Sequence, residues 1–312
     1  TFGALALSAA SCVPLASGTS PAPSARVAPA HADAPEPGAF PERWIRGGPD
    51  CGTEPAIQVW AYNPDFFVLR QSLCTSFEAP FLYLIFGREK VLLVDTGAGD
   101  VAIQPTVAGV IQDWLASSGS SSVELVVVHT HGHRDHTSGD AQFEGQPNTT
   151  LVPASVPALQ DFFGIPNWPT DSVPYDLGGR VLDVIPIPGH HPSHIALYDR
   201  RTQLLLTGDT LYPGRLYVVG ASSQGQWPVY QASVRRLVDF AAAHPVRFVL
   251  GAHIEMTNVP GEQLAFRSTH HPNEHALQLR PEHLLELDSA LSAMGSTPRM
   301  QIHDHFVIYP MN

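Results

Sequence analysis

The segment that most constrains this fold is VVVHTHGHRDHTSGD, residues 126–140. An apolar run at residues 125–128 stops at His129, and the stretch from His129 to Asp140 then holds four histidines and two aspartates. Such groups are costly to bury without a partner. At the end of a buried strand, however, they lie at a sheet edge, where ligands commonly bind. We therefore expect a sheet-containing fold whose edge carries a polar site.

Composition limits the kind of protein and the kind of partner. The 312 residues are 44% hydrophobic and 15% charged, which is typical of a globular protein. The formal net charge of -12 at pH 7 repels a phosphate backbone, so nucleic acid is not expected as a partner. No apolar run reaches the roughly 18 residues expected of a transmembrane helix. None of these features determines the oligomeric state.

Strand and helix signals alternate along the chain in two similar halves. In each half, short apolar segments predict strands and a longer segment with helical spacing predicts a helix. The predicted strands are residues 57–62, 66–71, 80–86, 90–97 and 123–130, then 180–190, 194–199, 203–209 and 247–253; the predicted helices are 101–119 and 229–244. This order predicts an α/β fold, an αβ/βα sandwich in which two mixed β-sheets are flanked by helices.

The amino-terminal residues predict export. TFGALALSAASC, residues 1–12, resembles the end of a signal peptide. Its last four residues are similar to a bacterial lipobox, which would make Cys12 a lipid anchor; the alternative is an ordinary secretory signal. Residues 13–43 are rich in Pro and Ala and predict a linker, and residues 44–312 form the predicted domain. The expected location is periplasmic or secreted, either free or as a membrane-anchored lipoprotein.

Two further cysteines, Cys51 and Cys74, lie near the start of the domain. In an exported protein such a pair favours a disulfide, and closing this loop would stabilise the fold by roughly 3 kcal/mol. The alternative is two free buried thiols.

Metal-ligand residue types follow several of the predicted strands. His131 and His133 are two residues apart, so an extended segment points both to one side. The next residues, Asp135 and His136, follow a turn and can face a second point. Three later predicted strands also end on residues of these types. The candidate ligands are therefore seven: His131, His133, Asp135, His136, His190, Asp209 and His253. One metal needs three or four protein ligands, so this set predicts two metals.

The order and spacing of these residues resemble the metallo-β-lactamase superfamily. HTHGHRDH is similar to its H-x-H-x-D-H signature, and VLLVDTG, PIPGHHPSH, LLTGDT and GAH resemble its other motifs, over roughly residues 66–253. The resemblance implies that His131, His133 and His190 hold one metal. It also implies that Asp135, His136 and His253 hold the second, with Asp209 as the bridge. His191 stands where the family usually has Thr.

The resemblance also implies a cofactor and a reaction. Two Zn²⁺ ions, or other divalent metals, would generate a metal-bound hydroxide that attacks a carbonyl or phosphoryl centre. Asp135 would bind metal and orient the hydroxide or carry its proton. Asp95, His129 and His194 would orient the ligands through hydrogen bonds. Since the loaded site would keep a positive charge, it can attract an anionic small-molecule substrate.

The resulting function is an exported, dinuclear zinc-dependent hydrolase of an ester, lactone or thioester. The alternatives are β-lactam hydrolysis and a mononuclear iron sulfur dioxygenase. Tyr212 lies three residues after Asp209, where lactonases of the superfamily carry a Tyr that contacts the substrate oxygen; the alternative is an aromatic ring that packs under the site. GRLY, residues 214–217, resembles the glyoxalase II segment that helps to bind glutathione.

Two regions have less specific signals. Phe162, Phe163 and Trp168 belong to an aromatic, Pro-rich segment that either covers the pocket and contacts an apolar substrate or forms a capping hydrophobic cluster. The final 55 residues or so fit no motif, include a predicted helix at 281–294 and a predicted strand at 301–310, and are expected to complete the sandwich. Most histidines of this region are expected to be solvated: His270, His271, His275, His283, His303 and His305.

Overall fold

The structure is a computed structural model that describes residues 1–3 and 36–312. Cys12 and most of the predicted signal and linker lie outside the described residues. From Glu36 onward the chain contacts the folded domain, because Glu36 N donates to Arg201 O at 2.8 Å and Ala39 N donates to Tyr62 O at 3.0 Å. The boundary at residue 44 stays a prediction. No helix within the described ranges is long and apolar enough to span a bilayer.

The first sheet contains six strands in the order β1-β2-β3-β4-β5-β6. Their bounds are β1 (Ile57–Asn63), β2 (Phe66–Gln71), β3 (Phe81–Phe86), β4 (Lys90–Val94), β5 (Glu124–Val128) and β6 (Thr149–Leu151). Strands β4 and β5 are parallel and in register, with Val94 beside Val128. The residues that follow them, Asp95 and His129, therefore leave the sheet at the same edge.

The second sheet also contains six strands. Their bounds are β7 (Val173–Asp176), β8 (Val181–Pro186), β9 (Ile195–Asp199), β10 (Leu204–Gly208), β12 (Phe248–Gly251) and β13 (Gln278–Leu279), in the order β13-β12-β10-β9-β8-β7. Strands β10 and β12 are parallel, with Gly208 beside Gly251. Asp209 and His253 consequently follow two neighbouring strands at one edge of this sheet.

A third, smaller sheet has the order β11-β15-β14. Its strands are β11 (Arg215–Val219), β14 (Gln301–Ile302) and β15 (Val307–Met311). The prediction of one continuous strand at 301–310 is wrong, because the chain turns between β14 and β15, where His303 N donates to Phe306 O at 2.9 Å. The two strands pair antiparallel across that turn.

Within the described residues, five α-helices connect and cover the sheets. They are α1 (Ile103–Ser118), α2 (Arg134–Thr137), α3 (Val156–Phe163), α4 (Gln226–Ala243) and α5 (Pro281–Met294). Helix α1 buries Ile103, Val107 and Trp114 in a cluster with the first sheet, whereas α4 and α5 bury apolar side chains in a cluster with the second. Gly119 ends α1 in the left-handed conformation, as its position predicts.

Alternation along the strands produces the layers. Tyr83 and Ile85 of β3 belong to the core between the two large sheets, while Leu82 and Leu84 point to the other face and pack with α1. In β10, Leu204 and Leu206 belong to the same central core. The two large sheets are thus packed face to face with helices outside, which confirms the predicted αβ/βα sandwich.

The predicted pairing of Cys51 with Cys74 is confirmed. The two residues form a disulfide with a Cα–Cα distance of 5.5 Å. It joins the segment before β1 to the segment after β2, so it closes the chain around the first two strands of the sheet.

Candidate metal centre

The seven candidate ligands come together where strands of both large sheets end. Two of them follow β5 and two lie on α2, while the other three follow β8, β10 and β12. Their donor atoms form two groups, each with all members within 4.8 Å of one another: His131, His133 and His190 in the first, and Asp135, His136, Asp209 and His253 in the second. The geometry therefore has the two-centre arrangement that the sequence predicts.

The first group consists of three imidazoles whose ring nitrogens converge. His133 Nδ1 lies 2.9 Å from His131 Nε2 and 3.0 Å from His190 Nε2. The Tyr217 carbonyl oxygen accepts from His190 Nδ1 at 2.7 Å, which leaves the lone pair of that ring on Nε2. Burial lowers the pKa of all three rings, so they are neutral at pH 7 and present lone pairs to a cation.

The second group is a network of two histidines and two carboxylates. Asp135 Oδ2 lies 3.3 Å from Nε2 of both His136 and His253. Burial opposes their ionisation, yet the nearby carboxylates raise the pKa of both rings well above the ordinary value. A metal ion at this group would take the place of those protons.

Asp209 faces both groups. Its Oδ1 lies 3.4 Å from Nε2 of both His136 and His253. Its Oδ2 faces the first group, at 3.5 Å from His190 Nε2 and 3.9 Å from His131 Nε2. Burial alone would raise the pKa of this carboxyl, but His253 and His136 hold it well below its usual range. Asp209 is therefore an ionised carboxylate with one oxygen toward each group.

Two buried atoms test whether these residues fit metals. His136 Nε2 and Asp209 Oδ1 are buried and have no hydrogen-bond partner, an uncommon state for native polar atoms. Both point into the second group, and the His and Asp donors are those that Zn²⁺ prefers. The residues present fit two such ions.

A buried hydrogen-bond network supports the ligands. Asp95 has a φ of 69°, and its carboxylate accepts from Thr130 N at 2.7 Å and from His136 Nδ1 at 2.8 Å. The His194 ring lies 4.7 Å from the His131 ring. His129 Nε2 lies 2.8 Å from Asp140 Oδ1 and contacts no ligand through this bond.

His191 has a different environment from the Thr that is usual in the family. Its Nδ1 lies 3.0 Å from Ser193 Oγ, and its ring packs edge-on at 4.9 Å from the His133 ring. Burial lowers the pKa of His191 to about 4, so this extra imidazole adds no positive charge beside the first group at pH 7.

The hydroxyl of Tyr212 is already engaged. The ring is buried 5.5 Å from the His253 ring, and the hydroxyl donates to the carbonyl oxygen of Arg215 and lies 3.3 Å from Glu255 Oε2. This geometry matches the packing alternative. Contact with a substrate oxygen would require the hydroxyl to give up its bond to Arg215.

The predicted pocket loop is part of the core instead. Phe162 and Phe163 end α3 and pack on Tyr175 at 5.5 and 5.1 Å, and Phe163 is buried. Trp168 also packs against the central core. None of the three predicted contacts is among the residues that line the cavity at the metal centre. In this structure the three side chains belong to a hydrophobic cluster and not to the cavity wall, which favours the hydrophobic-cluster alternative.

The cavity above the two groups has a volume of about 460 Å³. Besides five ligands and Tyr212, its wall includes Tyr217 of the GRLY segment and residues that carry no motif: Phe77, Glu78, Val219, Phe266 and Arg267. Sequence reasoning missed most of them because they lie in irregular segments or in the unpredicted third sheet. Arg215 of the GRLY segment is buried and donates to Leu264 O at 2.7 Å, so it supports the wall from behind.

The carboxy-terminal histidines are less solvated than predicted. His271 is buried, and its Nδ1 lies 2.8 Å from Glu274, which also accepts from Arg70. His275 Nε2 and His305 Nδ1 lie 2.9 Å apart. Together with the others of the set they are at least partly buried, so the expectation of solvated rings is wrong for this region.

A comparison with protein families assigns the chain. The model described as "Metallo-beta-lactamase superfamily" matches residues 77–244, more than half of the chain, and the match contains six of the seven ligand candidates. The chain belongs to the metallo-β-lactamase superfamily. The fold of a superfamily structure, "Metallo-beta-lactamase from Pontibacter korlensis", agrees with this: its TM-score is 0.50 at 17% identity, with 76% of this chain and 99% of that chain covered.

Relatives within the superfamily indicate the reaction class. Acyl-coenzyme A thioesterase MBLAC2 of Homo sapiens is 26% identical over 217 residues, 60% of this chain and 76% of the relative. Hydroxyacylglutathione hydrolase of Chromohalobacter salexigens is 33% identical over 130 residues, 40% of this chain and 44% of the relative. At this coarse level, the superfamily and its relatives support a metallo-hydrolase that acts on thioesters or esters.

Proposed function

We propose that the protein is a dinuclear zinc hydrolase that cleaves a thioester, ester or lactone of a small molecule. The observation that carries the proposal is the position of Asp209. Its two carboxylate oxygens face two separate groups of nitrogen and oxygen donors, within 3.4 to 3.9 Å. A carboxylate in that position can join two metal sites in one centre.

Zinc at these groups would supply a Lewis acid and would lower the pKa of water at the site. The protein residues fix the geometry around it. Asp95, Glu78 and Tyr217 each accept a hydrogen bond from Nδ1 of a ligand histidine, so Nε2 of His136, His253 and His190 stays directed at the centre. These acceptors come from different elements and hold the rings before any ligand binds.

Asp135 is the group best placed to orient an attacking water. It lines the cavity, and burial opposes its ionisation, but His136 and His253 lower its pKa below the ordinary value. The carboxylate is therefore ionised at pH 7 and can accept a hydrogen bond from water that approaches from the cavity.

Export is part of the proposal, with the protein either free in the periplasm or outside the cell, or anchored by a lipid at Cys12. The Cys51–Cys74 disulfide supports it, because such bonds persist mainly in oxidising compartments. Cell fractionation would test this: a protein found wholly in the cytosol with reduced Cys51 and Cys74 would contradict it.

Metal analysis and a substrate screen test the function together. We expect about two zinc ions per chain and hydrolysis of acyl thioesters that stops when a chelator removes the metal. One iron per chain with oxygen consumption would indicate a sulfur dioxygenase instead. Cleavage of cephalosporins in the absence of thioester, ester or lactone cleavage would indicate a β-lactamase.

A further inference from the structure

One side chain of the cavity wall has a charge opposite to that of its neighbours. Among the described residues that line the cavity, Arg267 is the only arginine or lysine. The acidic residues of the same wall are Glu78, Asp135, Asp209 and Glu255. In a protein of net charge -12, an anionic substrate needs a local cation, and outside the metal centre Arg267 is the cation that the cavity offers.

Arg267 is exposed to solvent, and one aromatic contact restrains its side chain. Its guanidinium carbon lies 4.4 Å from the centroid of the Phe77 ring, a cation–π contact across the cavity wall. The backbone on either side is also bound to the domain, since Leu264 O accepts from Arg215 and Thr269 O accepts from Gly48 N at 3.0 Å. An arginine that is already restrained by such a contact loses less entropy when it binds an anion.

The third sheet forms an apolar part of the same wall. Strands β11 and β15 are parallel, with Tyr217 beside Tyr309 and Val219 beside Met311. The alternate residues Leu216, Val218 and Ile308 are buried, so the face with Val219 and Met311 is turned outward. Val219, Met311 and Phe266 are 45%, 41% and 67% exposed, and all three line the cavity. Apolar side chains exposed together at a cavity mouth indicate contact with an apolar group.

We propose that Arg267 is a specificity-determining residue that binds an anionic group of the leaving thiol, while the face with Val219 and Met311 binds an apolar acyl chain. This inference rests on the proposed thioester hydrolysis and specifies its substrate: an apolar acyl thioester of an anionic thiol. The anion is either a carboxylate, as in glutathione, or a phosphate, as in coenzyme A. The planar guanidinium can form two parallel hydrogen bonds with either.

The first experiment compares thioesters that differ only in the thiol. S-hexanoylglutathione and hexanoyl-coenzyme A are anionic, and S-hexanoyl-N-acetylcysteamine is neutral. In Arg267→Met, we expect the ratio of kcat/KM for the preferred anionic substrate to that for the neutral one to fall roughly 5- to 20-fold, mainly through KM. Arg299→Met removes an exposed arginine that does not line the cavity and should leave the ratio unchanged. A fall in the ratio for the glutathione thioester would indicate that Arg267 binds a carboxylate, and a fall for the coenzyme A thioester would indicate that it binds a phosphate.

A binding measurement separates this inference from the proposed function. The unreactive thioethers S-hexylglutathione and S-hexyl-coenzyme A should bind the wild-type protein in calorimetry, and Arg267→Met should bind the preferred one roughly 5- to 20-fold more weakly. If the wild type cleaves thioesters but Arg267→Met changes neither the kcat/KM ratio nor the thioether affinity, the role assigned to Arg267 is wrong and the proposed function stands. If the protein cleaves esters or lactones but no thioester, this inference is wrong and the proposed function stands; if it cleaves none of the three, the proposed function is wrong. If neither thioether binds, the role assigned to Arg267 is wrong.

A second variant tests the acyl site and the orientation. Val219→Asp places a charge on the apolar face and should lower the preference for hexanoyl over acetyl thioesters roughly fivefold or more. An unchanged chain-length preference would overturn the acyl assignment. If Arg267→Met instead lowered kcat/KM only for thioesters that carry a carboxylate on the acyl group, the acyl group and not the thiol would contact Arg267. The proposed orientation would then be wrong.

Discussion

The carboxylate of Asp95 accepts a hydrogen bond from Nδ1 of His136 at 2.8 Å and thereby fixes which ring nitrogen faces the second group. Asn tolerates the positive φ of this position about as well as Asp, but its amide can donate to Nδ1 and leave the proton on Nε2. Asp95→Asn should therefore weaken the second metal about 10- to 100-fold. Zinc titration by calorimetry measures this, with Asp100→Asn, an exposed acid of the next loop, as the control. Tight binding of two metals in Asp95→Asn would contradict the assigned role.

Asp209 and His133 should differ in how much metal their loss removes. Asp209 faces both groups, so Asp209→Ala should weaken both metals, whereas His133→Ala should remove about one metal per chain because His133 belongs to the first group. Both variants should lose most hydrolysis. Metal analysis after dialysis distinguishes them, and equal metal content in Asp209→Ala and wild type would show that Asp209 is not a bridge.

Tyr212→Phe should change stability more than rate. The hydroxyl donates to the buried Arg215 carbonyl, and its removal leaves that acceptor without this donor. We expect the free energy of unfolding to fall by about 1–2 kcal/mol and kcat to stay within about twofold, because an engaged hydroxyl contributes little to an oxyanion site. Urea unfolding and steady-state kinetics check both. A tenfold or greater loss of kcat with intact metal content would restore the catalytic interpretation of Tyr212.

Phe163 and Phe266 form a matched pair for the core and the cavity. Phe163 is 8% exposed in the central core, so Phe163→Ala should destabilise the fold by about 3–5 kcal/mol with little change in KM. Phe266 is 67% exposed at the cavity mouth, so Phe266→Ala should raise KM for long acyl chains with little change in stability. The reverse pattern would place the substrate against α3.

The Arg180–Asp199 ion pair predicts a pH effect on stability. Burial opposes ionisation of Asp199, but Arg180 lowers its pKa, with Nε at 3.1 Å from Oδ1. A lowered pKa contributes stability that is present above the unfolded value of about 4 and is lost as pH falls toward the folded value. Asp199→Asn should thus cost about 3–5 kcal/mol at pH 7. Urea unfolding at pH 7 and pH 3 should show the difference from wild type shrinking at the lower pH; a constant difference would argue against this pair.

The sequence contains enough information for the ligands but not for the wall around them. His131 and His133 could be predicted because strand periodicity and residue spacing are local properties. Arg267 could not, because it lies in an irregular segment after β12, and its contact with Phe77 joins residues almost two hundred positions apart. The bond between Tyr212 and Arg215 depends on the path of the chain through Pro213 and Gly214, which no periodicity describes.

Helix α3 shows a different reason for a miss. The prolines that suggest a loop here, Pro166, Pro169 and Pro174, all follow the helix, whereas Pro157 lies in its first turn, where Pro is favourable. Ser155 caps this helix by accepting from Ala158 N, and Gly164 ends it with a φ of 69°. These start and stop signals were present in the sequence and would have placed Phe162 and Phe163 on a helix that packs against the core.

Each ligand group draws its side chains from both large sheets. In the first group, His131 and His133 follow β5 of the first sheet, and His190 follows β8 of the second. In the second group, Asp135 and His136 lie on α2 after β5, whereas Asp209 and His253 follow β10 and β12 of the second sheet. Neither half of the sandwich therefore possesses a complete binding site by itself. Bound metal ions would therefore link the two halves, and a fluctuation that separates the two sheets would also release the metal. The lifetime of the bound ions would then measure how often the sandwich opens.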